Sequence, residues 1–335
     1  MYNIDDIKKV HLEISSRCNA SCPMCPRNFH GYPHNDGYPE HDMTLDEAKK
    51  IFAPDFIGQL DEIFINGNFG DAVMNPETVD IVQYFRSHNE NLTISISTNA
   101  GARDRKFWEY LAQLKTEIVF CIDGLEDTHT LYRQNTLYAT VIKNAQTFIK
   151  AGGQAVWKMI DFDFNEHQRD EAKQLSELLG FNSFQLIKSQ RKDTPVYDKN
   201  QNLTHTVGNP KYTEFSVLWK KRTTDEVLLE DIVKHRTEKS ISCKVKQKKS
   251  IYISSTGDVF PCCFLGFSPK TYGHGNYHQA ANKQFSNMIY QNNALEYSLV
   301  ECMQWFDSIV QTWNIPTFEQ GRLVICNDTC GTNQY

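Results

Sequence analysis

Three cysteines fall within eight residues of this chain, in the segment RCNASCPMCPR, where Cys18, Cys22 and Cys25 are spaced C-x3-C-x2-C. Thiolates so close together on one loop can close around a cubane of iron and sulfide. Three ligands for four irons leave one iron with an open position, which a bidentate amine and carboxylate can occupy. A zinc site would instead recruit a fourth protein ligand, and His30, His34 and His41 lie close by. A second group stands towards the other end. Cys243 and Cys262 flank Gly257 as C-x13-G-x4-C, and Cys326 and Cys330 follow as C-x3-C. Four thiolates saturate one 4Fe–4S cluster or form a zinc knuckle. Cys263 could stand in for Cys262, although the x4 spacing favours Cys262. Cys302, within the apolar LVECMQW, reads as a buried thiol.

Elements able to position these residues are legible in the first 190 positions. Six β-type runs alternate with helical or loop segments: Val10–Ile14, Glu62–Ile65, Leu92–Ser97, Glu117–Ile122, Ala155–Ile160 and Ser183–Ile187. The cysteine loop directly follows the first. Thr44 with Glu47 makes a capping box for a helix that Pro54 should end. Asn75 should cap a helix beginning at Pro76. Further helices carry Phe107, Trp108, Leu111 and Leu114; Val141, Ile142, Ala145, Phe148 and Ile149; and Ala172, Leu175, Leu178 and Leu179, the last two stopping at Gly152–Gly153 and Gly180. Strand–helix alternation at this spacing implies a parallel sheet with right-handed crossovers, either open or an incomplete barrel. Ligands then belong at the C-terminal strand ends.

Residues 191–240 turn polar, with weak helical patterning around Tyr212–Trp219 and Val227–Val233, and read as a bridge. Ser250–Ser254 and Asp258–Pro261 flank Thr256–Gly257 as a hairpin. The basic stretch KVKQKK, Lys244–Lys249, reads as the solvated face of a strand rather than a nucleic-acid contact. Lys plus Arg number 35 against 41 Asp plus Glu, so no broad surface for nucleic acid or anionic membrane is expected. No run of 18 apolar residues spans a membrane, and MYNIDDIKKVHLEIS lacks the features of a signal peptide. A cytoplasmic protein is expected, and in that reducing compartment cysteines bind metal, react or sit in the core rather than pair.

On these residues the chain resembles the radical S-adenosylmethionine (SAM) superfamily, whose signature is C-x3-C-x-aromatic/apolar-C; Met24 fills the variable place, which in the family packs near the adenine. The resemblance implies a partial (β/α)6 TIM-like barrel over residues 1–190. It also implies a 4Fe–4S cluster on Cys18, Cys22 and Cys25, reductive cleavage of SAM to a 5′-deoxyadenosyl radical, and abstraction of a substrate hydrogen. INGNFGD stands where the family holds the SAM amino group, giving Asn66, Gly67 and Asn68; the family's Glu is absent there. STNA matches a segment near the SAM ribose, giving Ser97 and Asn99. CIDGLEDTHTLYR resembles a stretch of the SPASM and twitch enzymes in which the arginine pairs with the SAM carboxylate. Arg133 takes that role, Asp123 becomes a ribose or substrate contact, and Cys121 replaces the usual Ser.

The C-terminal pattern is similar to the opening of the SPASM and twitch auxiliary-cluster domains. It implies a smaller α+β domain over residues 241–335, with one auxiliary 4Fe–4S cluster on Cys243, Cys262, Cys326 and Cys330. Gln320 interrupts the run of cysteines that a full SPASM domain requires, so the shorter twitch type fits better. The group's substrates are small molecules, peptides or protein side chains, and with the first strand beginning by Val10 there is no room for an N-terminal peptide-binding module. A small molecule or short peptide is therefore expected, with a peptide or protein maturase as the alternative and a non-enzymatic zinc protein as a third reading. A reductant such as flavodoxin or ferredoxin would supply the electron. The long segment Asn28–Met43 could cover the substrate or merely shield the cluster.

Overall fold

In the computed structural model, residues 1–29, 31–33, 39–189, 193–210, 239–267, 284 and 286–332 are described. All six expected strands form: β1 (Lys9–Leu12), then, after the short pair β2 (Asn28–Phe29) and β3 (Tyr32–Pro33), β4 (Glu62–Ile65), β5 (Thr93–Thr98), β6 (Glu117–Cys121), β7 (Gln154–Asp161) and β8 (Ser183–Lys188). They lie side by side in that order, every pair parallel. Between them run helices α1 (Leu45–Ile51), α2 (Pro54–Gln59), α3 (Thr78–His88), α4 (Arg105–Gln113), α5 (His129–Tyr132), α6 (Tyr138–Lys150) and α7 (Arg169–Leu179). Their apolar stripes and the outward strand residues bury one core, in which Trp108, Trp157, Phe85, Phe120 and Phe148 are fully enclosed. Each such aromatic removes roughly 150–250 Å² from water, a gross gain of about 4–6 kcal/mol.

Beyond the core strands come β9 (Thr194–Tyr197) and β10 (Leu203–Val207), an antiparallel hairpin, followed by β11 (Ser240–Ile241), β12 (Ser250–Ile253), β13 (Val259–Phe260) and β14 (Gly331–Thr332). The hairpin expected about Gly257 is present, with Gly257 at φ 84° in the left-handed region its turn requires. Strand β12 pairs parallel with β1, so this hairpin extends the core sheet to eight strands, ordered β13-β12-β1-β4-β5-β6-β7-β8. Seven run parallel and β13 is antiparallel, and among the described residues β13 and β8 do not pair to close a barrel. The fold is the mixed α/β partial barrel anticipated.

Three local readings are corrected. Pro54 starts α2 rather than simply ending α1, because proline fits the first helical turn, whose N–H groups lack partners anyway. Helix α3 begins at Thr78: Asn75 is fully buried, its Nδ2 donating to the carbonyls of Ile14 and Met43 while its Oδ1 accepts from Glu77 N. Lys244–Lys248 is a short helix, not a strand, which suits a lysine- and glutamine-rich segment of good helix formers. The patterning at 212–219 and 227–233 lies outside the described residues.

Candidate functional site

At the C-terminal end of β1 the cysteine loop is held by its neighbours rather than by regular structure of its own. Cys25 N donates to Cys22 O at 3.0 Å, and Asn28 N to Cys25 O at 2.9 Å, which tightens the last two cysteines into consecutive turns. Ser21 N donates to Gln134 O at 3.0 Å and Asn135 Nδ2 to Ser21 Oγ at 2.8 Å, so the segment after α5 grips the loop from the β6 side. The loop that follows returns to β1: Ser16 Oγ donates to Pro39 O and Ser15 Oγ to Asp42 Oδ1, while Arg17 pairs with Asp42. His30 and His34 lie outside the described residues, and His41 Nε2 is engaged by Glu47 at 3.0 Å.

Two strand-end segments direct side chains at the cysteines, and a third braces one of them. From β5, Asn99 Nδ2 donates to Cys18 Sγ at 3.6 Å and to Asn19 Oδ1 at 3.0 Å. From beyond β6, Arg133 Nη1 reaches Cys22 Sγ at 3.7 Å, and its Nε pairs with Asp123 Oδ2 at 2.6 Å. Asp123 is fully buried and also accepts from Ile160 N on β7 at 2.5 Å, so it fixes the guanidinium and ties β6 to β7. From the β4 loop, Asp71 accepts from Thr98 Oγ1 and Asn99 N, both at 2.7 Å, while its own N–H donates to Arg17 O. Burial pushes the Asp71 carboxyl up, opposed by those hydrogen bonds.

Burial likewise pushes Cys18 up, reinforced by the Asp71 carboxylate, and pushes Cys22 up to about 11 against the pull of Arg133. The thiols sense one another electrostatically. Yet among the described residues no three Cys, His, Asp or Glu side chains gather tightly enough for a single metal ion. One buried and two half-buried thiols on a loop, with a cation and an amide N–H directed at their sulfurs, are the donor set an iron–sulfur cluster takes, since it binds thiolates and is tuned by hydrogen bonds to sulfur. The residues therefore fit that group. Met24 packs with Cys22, Ala20, Tyr132 and Phe162, and with Val196 and Val207 of the β9–β10 hairpin, which lies against the loop.

Asn66, Gly67 and Asn68 follow β4 as expected. Asn66 O accepts from His11 Nε2 at 2.6 Å. Gly67 and Gly70 are obligatory: a Cβ would lie 2.2 Å from Gly70 O and 1.9 Å from Ser15 O, respectively. Asn68 Nδ2 is directed at Cys263 O, 2.9 Å away, and so joins this loop to the turn after β13. Glu13 has the same bridging role, which the sequence reading missed. It is buried just past the end of β1 and accepts from Phe69 N, Gly70 N and Tyr252 Oη at 2.7–2.9 Å. A lone carboxylate within the apolar VHLEI was the available signal. Ser97 faces Cys121 Sγ at 3.3 Å.

Of the four assigned C-terminal cysteines, Cys243 and Cys330 are in direct contact, and Cys262 and Cys326 sense their neighbours electrostatically. Cys326 and Cys330 stand one turn apart on the helix Val324–Cys330, and Cys243 precedes the helix Lys244–Lys248. The Cys243 thiol donates to Cys330, which holds Cys243 up and Cys330 down. Cys262, raised by burial, senses Cys263 and Cys326, and Cys326 is pushed up to about 12 by burial. Arg322, nearly buried, braces this region by donating to the carbonyls of Trp313, Ile315 and Lys239 and to Asn327 Oδ1. Cys263 instead faces Glu13 and Cys262, and Cys302 is buried with its thiol directed at Tyr297 O.

Fold and site together define an α/β partial barrel with a three-cysteine loop after its first strand. Residues 12–174, just under half of the chain, match the family model of the radical SAM superfamily. A tungsten-containing aldehyde ferredoxin oxidoreductase cofactor-modifying protein of Pyrococcus furiosus is 22% identical over 93% of this chain and 86% of its own. An uncharacterized Methanocaldococcus jannaschii protein is 25% identical over 77% and 86%. Among solved structures, Streptococcus suis SuiB bound to S-adenosylmethionine superposes with a TM-score of 0.57 at 13% identity, covering 94% of this chain and 68% of that one. The structure of anSMEcpe with bound AdoMet gives 0.56 at 16%, covering 91% and 80%. These likenesses show the fold. No helix among the described residues is long and apolar enough to cross a membrane.

Proposed function

We propose that this chain is a radical SAM enzyme oxidising or otherwise modifying a small molecule or short peptide, with its SAM-binding cluster on Cys18, Cys22 and Cys25 and an auxiliary 4Fe–4S cluster on Cys243, Cys262, Cys326 and Cys330. One observation carries the reading: side chains from the ends of β5 and β6 converge on the sulfurs of one loop, where a parallel barrel places its ligands. Bound there, the cluster and SAM would supply reductive cleavage to a 5′-deoxyadenosyl radical that abstracts a substrate hydrogen. Arg133, braced by Asp123, offers a guanidinium fork suited to the SAM carboxylate. Asn66 and Gly67 line the side assigned to the SAM amine, and Asn99 and Ser97 that assigned to its ribose. Met24 lies in the apolar patch assigned to adenine.

At the second site, support comes from the Cys243–Cys330 contact, from Cys326 one turn before Cys330 on the same helix, and from Cys262 just after the hairpin that extends the core sheet. An auxiliary cluster there would sit on the same rigid sheet as the first. Residues 241–335 would then be the auxiliary unit, and 191–240 the bridge, whose β9–β10 hairpin lies over the cysteine loop. The relatives point to both substrate kinds. One is named for modifying a cofactor, and structures of SuiB with precursor peptide SuiA and of anSMEcpe with a peptide are among the similar folds. Flavodoxin or ferredoxin would serve as reductant, in the cytoplasm. Anaerobic iron and sulfide analysis followed by 5′-deoxyadenosine measurement after dithionite reduction tests the proposal. Stoichiometric zinc with no 5′-deoxyadenosine would refute it.

A further inference from the structure

Along each parallel strand, alternate side chains point outward to the helices or inward to the concave face. On β7, Ala155, Trp157 and Met159 join the core under the helices, so Val156, Lys158 and Ile160 face inward. Register sets Lys158 beside Cys121 of β6, and Lys158 Nζ donates to Ser97 Oγ of β5 at 3.1 Å. Asn99, which touches Cys18 Sγ, stands two residues beyond Ser97, about 7 Å further along the strand direction. The ammonium thus lies one strand step below the cysteine loop, on the face that the loop overhangs.

The carboxylates of this face each have an ion-pair or hydrogen-bond partner. Glu62 pairs with Lys9, Glu117 accepts from Ser95, and Glu13 accepts from Tyr252 and two backbone N–H groups. Asp123 pairs with Arg133, and Asp71 accepts from Thr98 and Asn99. Among the described residues, Lys158 is the one cation on this inner face with no carboxylate within ion-pair distance, since Lys9 pairs with Glu62 and Arg133 with Asp123. Its single polar partner is the Ser97 hydroxyl, itself nearly buried. Holding an ammonium half-buried without a counter-charge is unfavourable until an anion arrives.

We infer that Lys158 and Ser97 form the seat for an anionic group, a carboxylate or a phosphate, on the substrate. Attributing the anion to the substrate rests on the enzymatic reading above. The ammonium supplies charge and Ser97 a neutral partner that orients it, so the substrate would be held by its anionic end with the remainder reaching up to the cysteine loop. Arg133 pairs with Asp123, two residues beyond Cys121, and is the guanidinium assigned above to the SAM carboxylate.

The test is calorimetric titration of sodium phosphate, and separately of sodium acetate, into the anaerobically reconstituted full chain. Ionic strength is held constant with chloride. Wild type should bind at least one of the two saturably: phosphate alone would point to a phosphorylated substrate and acetate alone to a carboxylate. Lys158→Met and Lys158→Gln should each weaken that binding about tenfold or more, Lys158→Arg should stay within about threefold, and Ser97→Ala should lose roughly threefold to tenfold. The proposal is overturned if neither anion binds saturably, or if folded Lys158→Met and Lys158→Gln bind as tightly as wild type. It is equally overturned if Lys158→Met weakens SAM as much as the anion, which would assign the lysine to the cofactor. Absence of 5′-deoxyadenosine from reduced wild type would sink the enzymatic reading separately, while the titration still reports on the site.

Discussion

Replacing Arg133 by Met would break an ion pair that also faces a cysteine of the site. Asp123 is fully buried and the Arg133 side chain is only 15% exposed, with Nε 2.6 Å from the carboxylate. Removing one partner of such a pair leaves an uncompensated buried charge, which costs about 3–5 kcal/mol. Arg133→Met is expected near the lower end, about 3 kcal/mol, because Asp123 keeps the hydrogen bond from Ile160 N. Asp123→Asn should cost a comparable amount, and the double variant Asp123→Asn/Arg133→Met less than the sum of the singles, since no lone charge remains. Anaerobic urea denaturation of the four proteins gives the coupling energy. SAM binding should weaken on Arg133→Met by roughly 10- to 100-fold, the worth of a charged hydrogen bond to a carboxylate. A single-variant cost under about 1 kcal/mol, or additive effects, would refute the reasoning.

Cys22→Ala is expected to abolish SAM cleavage, whereas Cys326→Ala should keep cleavage, lose roughly four irons per chain and form no product, as iron assay and product analysis would show. Retained turnover in the second variant would remove the auxiliary cluster from the mechanism. Gly70→Ala should destabilise by about 1–3 kcal/mol and weaken SAM binding, because its Cβ would meet the Ser15 carbonyl; calorimetry on both properties checks this. Trp157→Ala should cost about 3–5 kcal/mol by emptying the core and leaving Ile122 O without its indole donor, measured by urea titration. His129 is buried, and desolvation lowers its pKa to about 4. It stays neutral in the folded chain while the unfolded chain takes up a proton below about 6.5, so stability present above that pH is lost as pH falls towards 4, by up to about 3 kcal/mol. His129→Gln should flatten that part of the stability–pH curve, and an unchanged slope would contradict the assignment.

The core strands and the helical stripes around them were legible because each follows from local periodicity: VHLEI, EIFI and EIVFC alternate or run apolar as half-buried strands do. The cysteine loop was legible from spacing alone. Long-range pairing was not. Nothing in SIYI announces that it will lie parallel to KVHL, since that register depends on two segments some 240 residues apart in the chain. For the same reason the C-terminal hairpin read as part of a separate unit, whereas it continues the sheet. The β9–β10 hairpin escaped notice because TPVY and LTHTV alternate weakly and carry a proline, and its burial against Met24 and Cys22 is purely tertiary. The positioning residues, Glu13, Asp71 and Arg322, act through backbone groups that only the folded chain brings near, so their sequence signal is no more than a charge in an apolar setting.

The open iron is the point on which the catalytic reading turns. It is tested most directly by electron paramagnetic resonance of the dithionite-reduced Cys326→Ala variant, before and after SAM is added. A reduced 4Fe–4S signal whose g-values shift on adding SAM is the expected result. A signal indifferent to SAM, or a cysteine loop filled with zinc, would contradict it.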